Sequence, residues 1–417
     1  MHIGEEAKYR RISDARIANI IVLQLVFFGV KIILVQAIPW MYEARDTLDI
    51  ILLCFVGIMF LFIIKDVLTR IRVEHVFMVI LISILFLISV ILHEENGAYI
   101  LTAIPRFIYP CFTSYLVLSV ISDISWISFY FNRYMKYLIG ASIIASFFLY
   151  LNISELHRNY YSMSYSDITL IPTIWYMIKY HDKGRKIDLL LAVVGIILIV
   201  VFGSRNPLIS IFSLIIIYGI KYIVSSVSFT KIVIVFTILV AFLYIGVNYD
   251  RILDIVITTL DNHGLYSRTV AYLLAGKITS DSGRTEIYKK ILVSLNDSPF
   301  IGLGLGGPEA VLEVLPHSLY LGILAYLGYP FGILSLVVFA LTIIRGWLHS
   351  SHDTRGLLLM YLIITVPRGF TGLSILDTES VWWLIGICSS LIHFRNYDKA
   401  TNLCIDEASK HTSVGYS

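Results

Sequence analysis

Residues 187–202 read IDLLLAVVGIILIVVF and residues 208–224 read LISIFSLIIIYGIKYIV, with Gly203-Ser204-Arg205-Asn206-Pro207 between them. Each apolar run is close to the roughly 20 residues that a bilayer-spanning helix needs. The link is too short to hold a domain, so the stretch reads as two antiparallel membrane helices. Arg205 is the one charged residue of the link, which holds its guanidinium at a membrane boundary. Pro207 suits the first turn of the second helix, where its missing N–H costs little.

Outward from this hairpin the same kind of run recurs. Apolar segments lie near residues 18–40, 50–64, 76–92, 99–121, 137–151, 168–180, 232–247, 317–344, 356–366 and 379–394. Together they predict an all-α, polytopic integral membrane protein of about 12 transmembrane helices. Composition agrees: 58% of the 417 residues are hydrophobic and 15% are charged, against about 45–50% and about 25% in soluble domains. A net charge of +3 is too mild for a nucleic-acid partner. The basic residues sit in short clusters between apolar runs, where they mark topology.

Lys8, Arg10, Arg11 and Arg16 precede the first run and predict a cytoplasmic N-terminus. Alternation then puts Lys65, Arg70, Arg72, Arg133, Lys136, Lys183, Arg185, Lys186, Lys221, Lys231, Arg345, Arg355, Arg395 and Lys399 on that same side, with the C-terminus. The first apolar run is long enough to stay as a helix rather than be removed as a leader. Cys54, Cys111 and Cys388 lie in apolar runs and Cys404 in the tail. No CxxC or Cys/His ligand spacing occurs, so neither disulfides nor a structural metal are expected.

The organisation that follows is an N-terminal bundle of about nine spans over residues 1–247, a long outer loop over 248–316, about three spans over 317–395 and a polar tail over 396–417. In the loop, residues 252–260, 266–274 and 285–295 mix apolar and polar positions at helical spacing. Gly, Pro and Asp cluster at 296–308 as turns.

Arg205, Arg284, Arg368 and His317 fall at the outer side, against the usual sorting of positive charge. Charge that is costly at a membrane boundary points to a function, and an anionic ligand is the first candidate. The guanidinium offers a planar fork of donors matched to phosphate oxygens. Each arginine has an alternative reading: Arg205, Arg368 and Arg106 as snorkelling anchors, and Arg284 as a loop residue paired with Asp281 or Glu286. Ser282 is placed to cap the helix after it, which leaves Arg284 at a helix start, where the dipole disfavours a cation. His317 suits proton transfer near neutral pH, with Glu309 or Glu313 upstream to orient it, or is an interfacial histidine bonded to a carbonyl. Ile301-Gly302-Leu303-Gly304-Leu305-Gly306-Gly307-Pro308 either turns amides onto phosphate or packs closely on a helix.

The order of these motifs is informative. Gly203-Ser204-Arg205, then Ser282-Gly283-Arg284, then Ser298-Pro299-Phe300-Ile301-Gly302-Leu303-Gly304, then His317-Ser318-Leu319-Tyr320-Leu321 with Leu327-Gly328 resembles the O-antigen polymerase and ligase superfamily. The likeness covers roughly residues 200–332. It implies glycosyl transfer at the periplasmic face of a bacterial cell inner membrane, with the long loop periplasmic. It also implies undecaprenyl-diphosphate-linked glycans as donors, and no cofactor or metal. By position, Arg205 and Arg284 would engage the diphosphate, with Arg368 extending the basic site. His317 would activate the acceptor, with Ser282, Glu313 and Arg106 as possible supports. Many ligases of the superfamily carry Asn after that histidine, where this chain has Ser318.

The reading favoured is a polysaccharide polymerase, a metal-independent glycosyltransferase that joins lipid-linked repeat units. Its partners would be the bilayer, the lipid-linked glycan, and a chain-length regulator and flippase of the same pathway. The second reading is an O-antigen ligase that moves the finished glycan to lipid A-core. A transporter of lipid-linked sugars would instead place charges near the bilayer midplane, where Lys31 and Arg106 are the partial exceptions.

Overall fold

The computed structural model describes residues 2–151, 163–202, 206–225, 254–255, 258–259, 262 and 284–394. The expected span near 232–247, the loop stretches 252–260 and 266–274 for the most part, and the tail lie outside the described residues.

Within them the chain is helical, with no strand among the described residues. Each expected span that falls there coincides with a helix: His2–Ala37, Arg45–Leu61, Val73–Leu92, Ser125–Leu151, Met163–Lys183, Lys186–Phe202, Asn206–Ser225, Leu319–His349, His352–Thr365 and Glu379–Phe394, plus a broken helix over 97–119. Among the described residues four stretches are long and apolar enough to cross a membrane: Lys8–Val35, Val73–Leu92, Glu94–Ser119 and Leu319–His349. Asn206–Tyr222 and Glu379–Phe394 are shorter apolar helices. The Arg45–Leu61 and Val73–Leu92 helices leave Ile50, Leu61, Leu87 and Ile91 exposed. Side chains so apolar over so wide a face suit lipid rather than water.

The main core packs the first helix, Ser125–Leu151, Met163–Lys183, His352–Thr365 and the last helix around Trp175, Trp383, Tyr361 and Phe131. Small residues let the helices approach closely. A Cβ on Gly29 would lie 2.6 Å from Leu138, and one on Gly386 would lie 2.8 Å from Leu118. Lys31, the cation inside the first apolar run, is paired with Asp49, so its charge is compensated within the bundle.

Polar contacts sort the connecting segments into two ends. At one end, Arg70 pairs with Asp14, Arg16 with Asp66, and the Asp123 amide donates to Asp14. At the other, Asn96 donates to the Leu303 carbonyl, and Ser318 and Tyr320 donate to the carbonyls of Gly369 and Val366.

Two helices depart from the simple spans that the sequence predicts. Residues 97–119 are not one helix: Pro105 and Pro110 break it, and Phe107–Phe112 is a π-helical turn. Proline has no N–H for the ladder, and one inserted residue relieves its clash. The Thr113 hydroxyl donates to the Ile108 carbonyl at 2.8 Å. The Leu319–His349 helix is broken at Gly328, with φ 74° and ψ 173°. Here the Gly-rich segment enters the break. The Tyr329 amide donates to the Pro299 carbonyl at 2.8 Å, and the Leu303 amide donates to the Ala325 carbonyl at 2.7 Å. In a membrane, freed backbone groups need partners from protein, and this loop supplies them.

Candidate functional site

The site grows from the turn after the His352–Thr365 helix. Pro367 opens a 3₁₀ turn, Pro367–Phe370, which buries Arg368 at 3% exposure. A buried guanidinium needs compensation. Arg368 Nη2 donates to Asp167 Oδ1 at 2.6 Å, on the Met163–Lys183 helix, while Arg368 Nε is buried and has no partner among the described residues. Sequence reading missed Asp167. The signal available was an acidic residue beside an apolar run, which is costly unless paired.

Asn206 begins its helix against the same turn. It is 7% exposed, and its Oδ1 accepts from the Thr371 hydroxyl, while Nδ2 is buried without a partner among the described residues. Thr371 and Gly372 in turn donate their amides to the Arg368 carbonyl at 2.9 and 3.1 Å. Ser210 Oγ, one helical turn further on, is also buried and unpartnered among the described residues. An unpaired buried donor costs about 1–3 kcal/mol, so two at one seam are a reserve of binding capacity for an acceptor.

The loop side of the site is the Arg284–Asp297 helix, which meets the expectation of a helix over 285–295. Arg284 is its first residue and half-buried. Among the described residues no carboxylate pairs with it. One turn along, on the same face, the Tyr288 hydroxyl lies 3.2 Å from both the His317 and Phe370 carbonyl oxygens and shares its proton between them. Tyr288 therefore ties the helix of Arg284 to the backbone of His317 and to the turn that holds Arg368.

His317 has a left-handed backbone, φ 47°, a conformation that is strained for a residue with a side chain and typical of functional positions. It stands just before Ser318, the N-cap of the Leu319–His349 helix. Ser318 Oγ accepts from the Leu321 amide at 3.3 Å and donates to the Gly369 carbonyl at 3.2 Å. The Tyr320 ring packs against Phe370, with centroids 4.5 Å apart and planes tilted by 50°. The imidazole is half-buried. Burial pushes its pKa below the ordinary value, and the nearby Arg284 charge pushes the same way. Both effects keep the ring neutral near pH 7, the state that accepts a proton.

The remaining candidates lie elsewhere. Among the described residues no carboxylate is hydrogen-bonded to His317. Glu313 is exposed, with φ 52°. Glu309 instead accepts from the Tyr326 hydroxyl at 2.6 Å, and burial raises its pKa. Arg106 is exposed and donates to Thr102 of its own helix. Arg205 and Ser282 lie outside the described residues. The Gly-rich segment is a close-packed loop, not a phosphate cradle. The amides of Gly302, Leu303, Leu305 and Gly307 donate to Ser298, Ala325, Ser89 Oγ and Gly304. No group of three His, Cys, Asp or Glu that could hold a metal occurs among the described residues.

Beside this site an apolar cavity of about 580 Å³ opens between the Val73–Leu92, Leu319–His349 and Glu379–Phe394 helices. It runs from Leu305 and Leu319 to Glu74 and His393, past Phe86, Phe107 and Trp382.

Comparison with known families bears on the same region. Residues 190–337 match the family model described as O-antigen ligase, which supports the resemblance to the O-antigen polymerase and ligase superfamily over that segment. The match contains the Arg205 link, the Arg284–Asp297 helix, the Gly-rich segment and His317; Arg368 follows it. No curated protein matches the chain.

Proposed function

We propose that this protein, whose residues 190–337 carry the O-antigen ligase match, is a glycosyltransferase. It would join undecaprenyl-diphosphate-linked oligosaccharide repeat units at the periplasmic face of a bacterial inner membrane. The observation that carries the proposal is the Tyr288 bridge, which gathers the Arg284 helix, His317 and the Arg368 turn at one place.

The chemistry suits those groups. The acceptor hydroxyl is a poor nucleophile near neutral pH, and a neutral His317 takes its proton as the oxygen bonds to the anomeric carbon. The bond from that carbon to the phosphate oxygen breaks, and the lipid diphosphate leaves with the electron pair. Its growing negative charge needs fixed positive partners. Arg284, Arg205 and Arg368 are the residues proposed for that role, which leaves the reaction independent of metal. Direct displacement inverts the anomeric centre. The periplasmic loop of residues 248–316 would cover the glycan, with the partner proteins being those that supply repeat units and set chain length.

The acceptor separates two readings. A second lipid-linked glycan makes the protein a polymerase; lipid A-core makes it a ligase, and the match over residues 190–337 is compatible with either. Ser318 does not decide between them, because it caps a helix and Asn caps equally well. The test is surface glycan on a gel from a deletion strain complemented with wild type, Arg205→Ala, Arg284→Ala or His317→Ala. Core bearing a single repeat unit and no ladder in the variants supports the polymerase. Bare core with long polymer on the lipid carrier means the ligase. Normal ladders from all three overturn the site.

A further inference from the structure

Two buried hydrogen-bond donors at the site have no partner among the described residues, and they share one seam. Arg368 Nε is on the Pro367–Phe370 turn and Asn206 Nδ2 is the first side chain of the Asn206–Ser225 helix. Thr371 joins them, donating its hydroxyl to Asn206 Oδ1 and its amide to the Arg368 carbonyl. Both residues are more than nine-tenths buried, so water does not account for them as it would for a surface group. The start of the Asn206–Ser225 helix adds the positive end of its dipole. Everything unpaired there donates, apart from the Ser210 hydroxyl, which can do either. A site of this kind selects an oxyanion.

Asp167 defines how much charge the site keeps. Its carboxylate takes the Nη2 edge of Arg368 at 2.6 Å, which fixes the guanidinium plane and leaves the Nε edge unbonded. Asp167 is partly exposed, whereas Arg368 is closed off, so the pair stores an oriented donor rather than a free cation.

We propose that Asn206 and Arg368 form an oxyanion subsite for a phosphoryl group, and that Asp167 is the positioning residue that sets Arg368 for it. The identity of the phosphoryl group as the donor's diphosphate rests on the glycosyltransferase reading; the subsite itself does not. Sequence alone gives no reason to connect Asp167 with Arg368, which stand 201 residues apart.

The experiment is thermal unfolding of the purified full chain in detergent with inorganic diphosphate, orthophosphate or glucuronate. Diphosphate is expected to raise the midpoint of wild type. Asp167→Asn retains an acceptor for Nη2 and is expected to keep most of the protection. Asp167→Ala is expected to need at least ~10-fold more diphosphate, about 1.4 kcal/mol. Where Asp167→Ala fails to fold, Asn206→Asp carries the test: it keeps the oxygen that accepts from Thr371, replaces the donor with an anion, and is expected to abolish protection. Wild-type protection in Asp167→Ala or Asn206→Asp overturns the proposal. Stronger protection by glucuronate than by diphosphate overturns the phosphoryl assignment, and orthophosphate as effective as diphosphate limits the subsite to one phosphoryl group, as proposed. Transfer activity measured beside it separates the two ideas: protection by diphosphate in a wild-type protein that shows no glycosyl transfer would sink the enzyme reading and leave the subsite standing.

Discussion

The carbonyl of Ala325 and the amide of Tyr329 stand four residues apart in one helix, the spacing of an α-helical hydrogen bond, and each bonds to the Gly-rich loop instead. The loop is spliced into the helix through Gly302 and Gly328, both near φ 74°. A Cβ on Gly302 would lie 2.6 Å from the Ala325 carbonyl oxygen, and one on Gly328 would lie 2.5 Å from that of Phe300. Both neighbours are backbone and have no rotamer to move.

Gly302→Ala and Gly328→Ala are therefore expected to destabilise the protein by more than the roughly 1–2 kcal/mol of the left-handed backbone alone. Thermal unfolding in detergent measures it. Gly57→Ala is the control: nothing lies within 4 Å of its added carbon, and Ala gains up to about 1 kcal/mol in a helix interior. Equal stability of the Gly328 and Gly57 variants would show that the splice is not what holds the loop.

The helices were legible because the bilayer imposes a length on apolar runs, and with Lys31 and Arg106 as exceptions the charge gathers between them. The splice was not. Pro330 and Gly328 announce a break in the helix, but the partner for its freed groups comes from residues 299–303, and a sequence reading of the Gly-rich stretch favours close packing on a helix over phosphate binding without saying which helix. The site was legible in part. Arg284, Arg368 and His317 stood out by charge at a boundary, and Asn206 sat beside Arg205 in the quoted link without any charge to mark it. Tyr288 and Asp167 act only through tertiary contacts, and nothing local distinguishes Tyr288 from the many other tyrosines at membrane interfaces.

Tyr288→Phe removes the hydroxyl shared by His317 and Phe370 and keeps the ring. Losing a hydrogen bond of this kind costs about 0.5–1.5 kcal/mol. The expected outcome is a transfer rate lowered by roughly two- to tenfold, with the lipid-linked donor bound nearly as before. A rate equal to wild type in a reconstituted assay would mean that the two segments are held together without Tyr288.

The pH profile of transfer follows from His317. Its pKa in the folded protein is lowered from the ordinary 6.5, and the neutral ring is the working form. Activity is expected to be level near neutral pH and to fall as pH drops through an inflection below 6.5. The same shift means that the unfolded chain binds this proton first, so the stability it contributes is complete above about 6.5 and is lost as pH falls through the folded pKa. Arg284→Ala removes one of the two causes. Its residual activity should show the acid inflection moved upward, toward the ordinary value, beside the drop in rate. An inflection that does not move would separate Arg284 from His317 electrostatically.

Position 318 offers a last test, of the acceptor. Ser318 accepts from the Leu321 amide and donates to the Gly369 carbonyl, so it caps one helix and ties it to the Arg368 turn. Ser318→Ala loses both bonds and should cost about 0.5–2 kcal/mol. Ser318→Asn restores the pairing of residues seen in many ligases; its side chain has an acceptor for Leu321 and a donor for Gly369. If position 318 only caps, Ser318→Asn is expected to keep wild-type stability and the wild-type glycan ladder. A ladder that gave way to long glycan attached directly to core would mean that this residue reads the acceptor, and the proposed polymerase would then be one substitution from a ligase.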